Sequence, residues 1–155
     1  MQTLKTGICN KGLTLLELIA VIFIISLILA VSLPSLTLQK DGKLKSEANR
    51  IASILRYLND SAISTKEIYA INVDFREKVV RYKGDDSEKT EKIDNLSFIT
   101  LQSKGKVSDG EVMVFFNPSG AGENFTIHLA GSESSMEIVF NALSGRVKVL
   151  AHEGI

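Results

Sequence analysis

The chain has 155 residues, enough for one modest domain with an appendage. Its 18 Lys and Arg balance 18 Asp and Glu, so no overall charge points to nucleic acid or an anionic surface. A single cysteine, Cys9, rules out an intramolecular disulfide and a thiolate metal cluster. The apolar residues, 45% of the total, are unevenly spread. Residues 18–39 carry no charge, whereas the rest is richly charged. A lipid-compatible N-terminus therefore precedes a soluble body. From Lys40 onward that body has about 115 residues, enough to bury a small core.

The first predicted element is the apolar run. From Leu13 to Leu38 the only charge is Glu17. Roughly 20 helical residues at about 1.5 Å each cross a bilayer core, so the run is long enough to span. Three readings fit. A secretory signal would have Met1–Lys11 as its basic region and Leu13–Leu29 as its apolar core. Ala30 and Ser32 would be the small residues before a cut. Against it stand the length of that core and the glutamate inside it. A plain anchor leaves orientation ambiguous, because Lys5 and Lys11 precede the run while Lys40, Lys43 and Lys45 follow it. It also gives Glu17 no purpose, and an unpaired carboxylate in lipid is costly. A glutamate at the lipid interface that snorkels or takes a proton is the bland alternative. Cys9 precedes the run, the reverse of a lipoprotein cysteine, and reads as an incidental leader residue. Pro34 removes one helical hydrogen bond. It either bends the helix around residues 30–33 or marks the end of the span.

The third reading uses every one of these oddities. The stretch "GLTLLELIAVI", Gly12–Ile22, resembles the processing site of type IV prepilins and type II secretion pseudopilins. The resemblance implies that a prepilin peptidase cuts after Gly12, discards the leader 1–12 and retains the apolar segment. Leu13 then becomes the N-terminus and the site of methylation. It stands where phenylalanine is usual. Glu17 and Pro34 fall where the family has its assembly glutamate and its helix-bending proline. In a filament, the Glu17 carboxylate would pair with the freed amine of a neighbouring subunit. Such pairing makes the buried charge tolerable and favours one register between helices. The helix macrodipole also favours an anion in the first turns.

Next in chain order comes an amphipathic helix over Lys43–Thr65. Leu44, Ala48, Ile51, Leu55, Leu58 and Ala62 recur at spacings of three or four, with Lys45, Glu47, Arg50, Arg56 and Asp60 mostly between them. Asp41-Gly42 predicts a weak break, so one long, bent helix is expected over the segments 13–39 and 40–66. Beyond Lys66 the period becomes two. Tyr69, Ile71, Val73 and Phe75 share one face, and a tight turn at Arg76-Glu77 leads into "KVVRYK". Gly84–Asn95 carries seven charges in twelve residues, which predicts a solvated loop with room for a short edge strand. "LSFITLQ" and "EVMVFFN" predict strands, the second central because it is apolar on both faces. "GKVSDG" between them reads as a loop and "NPSG" as a turn. "NFTIHLA", "MEIVFN" and "RVKVL" complete about seven strands over 67–155, an antiparallel body.

The pattern "FNPSG…FTIHL…MEIVFNALSGRVKV" resembles the GspH/FimT-type minor pseudopilin domain, with Gly145-Arg146-Val147 closing the last hairpin. This implies an α+β fold, with a long N-terminal helix packed on an antiparallel two-sheet β body. It also implies a single-pass inner-membrane protein with a cytoplasmic leader and a periplasmic body. Expected partners are the prepilin peptidase, other pseudopilin subunits and a secreted substrate.

Residues able to do chemistry are scarce. His128 and His152 read as surface residues, and Ser119 as a turn residue. Asp85, Asp86, Glu88 and Asp94 lack the spacing of a calcium loop and have lysines among them. No catalytic residue, metal site or cofactor is expected, and the chain reads as a structural subunit rather than an enzyme. Arg76, Lys78, Arg146 and Lys148 suggest a basic patch, which matters because FimT-like pilins serve DNA uptake. The chain left after cleavage has 16 basic residues (18 less Lys5 and Lys11) against 18 acidic ones, which argues against nucleic acid. The expected function is that of a minor pseudopilin of a type II secretion system. A FimT-like pilus subunit and a secreted β domain are the alternatives.

Overall fold

The computed structural model describes residues 15–84, 87–119 and 122–153, except for the side chains of 30–41 and 153. One helix, α1, runs Leu15–Thr65 and is followed by nine strands. Two compact units divide the chain at residues 38 and 39.

In the first unit, every described side chain from Leu15 to Leu29 is exposed. Apolar residues lie all around the helix, so no single stripe exists to fold against a core. The helical conformation continues through Pro34 and through Asp41-Gly42. The break expected at Asp41-Gly42 is therefore absent. One helical glycine costs only about 1 kcal/mol, less than the packing gained from Leu44 onward.

The second unit holds the core. Leu44, Ala48, Ile51, Leu55, Leu58 and Ala62 are all buried, as their spacing predicts. They pack into one apolar cluster with strand residues from both sheets. The helix ends where Lys66 takes φ 58°, the left-handed conformation of a helix stop. There Thr65 Oγ1 donates to the Ser61 carbonyl at 2.8 Å and accepts from Glu67 N–H at 3.3 Å.

The strands are β1 (Tyr69–Asp74), β2 (Val79–Lys83), β3 (Glu88–Lys92), β4 (Leu96–Leu101), β5 (Gly105–Val107), β6 (Glu111–Phe116), β7 (Phe125–Ala130), β8 (Ser134–Asn141) and β9 (Arg146–Glu153). They form two antiparallel sheets, ordered β3-β2-β1-β6 and β5-β4-β7-β8-β9. The architecture is the α+β one expected, a helix packing on two antiparallel sheets. Alternation is as read in β1, where Tyr69, Ile71, Val73 and Phe75 are buried, and in β7, where Phe125, Ile127 and Leu129 are.

The charged insert contains the short edge strand it had room for, β3, whose residues are mostly exposed. Three details differ from expectation. "GKV" within the expected loop forms β5, paired to β4 from Gly105↔Leu101 to Val107↔Ile99. β9 extends to Glu153, so His152 lies in a strand rather than a tail. Finally, β6 is an edge strand, not a central one. Its Val112, Val114 and Phe116 are buried, whereas Met113 and Phe115 are exposed. Apolar residues on both faces here mark one buried face and one uncovered face.

Candidate assembly site

Glu17 lies in the first turn of α1 as described, on an exposed stretch. Gly12 and Leu13 lie outside the described residues, as does the side chain of Pro34, whose backbone is helical. Ser26 Oγ donates back to the Ile22 carbonyl at 2.8 Å, which satisfies its hydroxyl within the apolar helix. Among the described residues no helix is long and apolar enough to cross a membrane. The described side chains of this stretch stop at Leu29, and the uncharged run continues in the sequence to Gln39.

Residues 9–33 match the family model of the prokaryotic N-terminal methylation motif. That match supports a type IV pilin-like or pseudopilin N-terminus. That motif implies processing by a prepilin peptidase, assembly with other pilin subunits and a membrane-anchored N-terminus. Proteins that carry it are generally structural rather than enzymatic. No curated protein and no solved structure matches the chain. The pilin-like reading of the body therefore stands on its architecture, a helix packed on two antiparallel sheets behind this motif.

The body is tied to its helix by groups that the sequence pattern did not single out. Glu47 belongs by spacing to the polar positions of α1, yet it is buried. Its carboxylate accepts from Asp94 N–H at 3.3 Å, Asn95 N–H at 3.1 Å and Asn95 Nδ2 at 3.0 Å. One side chain thus satisfies the turn between β3 and β4. Lys43 adds a 2.6 Å ion pair to Asp94, and Arg50 one of 3.0 Å to Glu91. Lys43 first, with Lys92 adding, holds the Asp94 carboxyl below the usual range. Asp74 closes the β1–β2 turn by accepting from Arg76 N–H (2.9 Å) and Glu77 N–H (3.0 Å), with Arg81 at 3.3 Å on its other oxygen. The Glu77 N–H bond chiefly holds its carboxyl low, against burial, which pushes it up.

The histidines lie on the outer face of the five-stranded sheet. His128 stacks on Phe98 with ring centroids 4.0 Å apart, and Lys106 Nζ lies 3.9 Å from the Phe98 centroid. His128 Nδ1 and His152 Nε2 each sit 3.5 Å from one oxygen of Glu137. Burial pushes the His128 pKa down, opposed by Glu137 and reinforced by Lys106 and His152. His128 is thus a half-buried packing residue rather than a simple surface one. Among the described residues no group of three ligating side chains is placed to hold a metal. Asp85 and Asp86 lie outside them.

The four residues of the suspected basic patch are divided between the sheets. Arg76 and Lys78 flank the β1–β2 turn, where Arg76 pairs with Asp109 at 3.1 Å and Lys78 donates to the Asp94 carbonyl at 2.9 Å. Arg146 and Lys148 stand exposed on β9.

Proposed function

We propose that this chain is a minor pseudopilin of a type II secretion system, GspH-like. Leader 1–12 is removed after Gly12, Leu13 is methylated, and the apolar helix holds the subunit in the inner membrane with its body in the periplasm. From there it enters a short filament, contacting other pseudopilins and a secreted cargo. The observation that carries the reading is Glu17, lone among apolar residues, within the methylation motif at 9–33. A carboxylate among packed helices is stable only when paired, and an α-amine freed at Leu13 of a neighbour supplies the partner. Pro34 supports the same reading, since proline loosens a helix where neighbours must fit. The test is Glu17→Ala in the full chain. Cleavage after Gly12 should continue while recovery of the subunit in sheared filaments falls at least tenfold. Undiminished incorporation would contradict the pairing.

One observation favours the second reading, a FimT-like pilus subunit that contacts DNA: Arg146 and Lys148 stand exposed side by side on one face of β9. Duplex binding that falls steeply with salt, and is lost on replacing both with alanine, would select it. No binding at low salt would select the secretion reading.

A further inference from the structure

Three titratable side chains meet on the outer face of the five-stranded sheet, one from each of β7, β8 and β9. His128 and Glu137 are directly opposed across β7 and β8. Glu137 opposes Leu150 across β8 and β9, and His152 opposes Ser135, so His152 stands diagonal to Glu137 on the same face. One carboxylate thus serves two imidazoles. Its Oε1 is 3.5 Å from His128 Nδ1, and its Oε2 is 3.5 Å from His152 Nε2. The assembly role of the N-terminus uses none of the three.

The two imidazoles are not equivalent. The His128 side chain is 20% exposed, that of His152 53%. His128 stacks on Phe98, and its Nε2 lies 3.4 Å from Thr100 Oγ1. A neutral ring with its proton on Nδ1 turns a donor to Glu137 and an acceptor to the Thr100 hydroxyl, so both nitrogens are matched without a charge. Burial opposes a charge there, Glu137 favours one, and Lys106 and His152 oppose it further. The His152 ring is half open to water, which can hydrate its charged form, and its Nε2 already faces the carboxylate. Among the described strand residues, alternation places Lys106 of β5 and Arg146 and Lys148 of β9 on this face as well. All three are cations, so Glu137 is the anion that a charged imidazole meets.

We propose that Glu137 is a proton-controlled clasp on β9: a proton taken from solvent by His152 turns its contact with Glu137 into an ion pair and fastens the end of β9 to β8. The pairs made fast are the last two of that ladder, Ser135↔His152 and Ser134↔Glu153. His152 takes its proton before His128. Once charged it repels a second proton, because two imidazoles on one carboxylate titrate as a coupled set. His128 meanwhile keeps its neutral place against Phe98. Among the described residues β9 is an edge strand paired with β8 alone. Strand ends of this kind open locally without global unfolding, so the clasp acts on local opening. The proposal is independent of the secretion reading, since it uses only the body.

Hydrogen–deuterium exchange of the full chain in detergent micelles, corrected for the intrinsic pH dependence of exchange, reads local opening directly. Protection of amides 150–153 is taken relative to residues 44–62 of α1, which the clasp does not touch. Between about pH 7.5 and about pH 5.5, the interval in which imidazole gains its charge, that ratio should rise about threefold, the scale of an exposed ion pair. His152→Gln and Glu137→Gln should each remove the rise, whereas His128→Gln should keep it. A rise that survives in either of the first two variants, or no rise in the natural chain, would overturn the proposal. Loss of the rise in His128→Gln would also overturn it, by placing the proton on the other ring.

Discussion

The two halves of α1 both carry apolar side chains, and these face opposite fates. Residues 15–29 are apolar around the whole circumference and exposed, whereas Leu44–Ala62 are apolar along one stripe and buried. A stripe is satisfied by one sheet layer of the same chain. A full cylinder needs surroundings on every side, such as lipid or other helices supply. Under the proposed function the difference separates what folds the molecule from what assembles it, and each substitution below should affect one half only.

The largest effect on the folded body is expected at the stripe. Leu58→Ala, fully buried, should destabilise the body by about 2–5 kcal/mol. Ile24→Ala on the exposed half should leave the same unfolding transition within about 0.5 kcal/mol. Urea denaturation of the two variants checks the contrast, and equal losses would erase it. Next come Glu47 and Gly145. Glu47→Ala leaves two backbone N–H groups at the β3–β4 turn without their acceptor, a loss of about 1–3 kcal/mol by the same measurement. Gly145 has φ 63°, and a Cβ there would lie 2.6 Å from Asn59 Nδ2, a helix residue. Gly145→Ala should therefore cost about 1–3 kcal/mol and confirm that the last hairpin leans on α1. The smallest effects come from pH. The Asp74 carboxyl is held low, so its contribution is full above 3.8 and lost as pH falls through its folded value. The His128 ring is held below 6.5, so protonation opposes folding as pH falls beneath that point. Melting temperature followed against pH should show two declines. His128→Gln should flatten the one that begins near 6.5, and Asp74→Asn should lessen the one below 3.8, to which Asp94 and Asp109 also contribute.

Much of this contrast was legible in the sequence. The stripe announced itself by spacing, and β1 and β7 by alternation, because burial on one face imposes a period. β6 was misplaced because a strand apolar on both faces fits either a central strand or an edge with one face uncovered, and only pairing distinguishes them. β5 is too short to carry a period. Glu47 was missed because its partners are backbone N–H groups at Asp94 and Asn95, distant in sequence and silent about side-chain chemistry. In the candidate site, Gly12, Leu13, Glu17 and Pro34 came from the likeness to prepilins. Physics alone supplied only the question of what a lone carboxylate does there.

The central claim is that the apolar half is retained for assembly after a cut at Gly12. Its most direct test is the N-terminal mass of the full chain after co-expression with a prepilin peptidase. The account predicts a chain beginning at methylated Leu13 with the apolar helix intact. A chain beginning at Leu33 would mean removal of the whole segment as a signal peptide, and would contradict it.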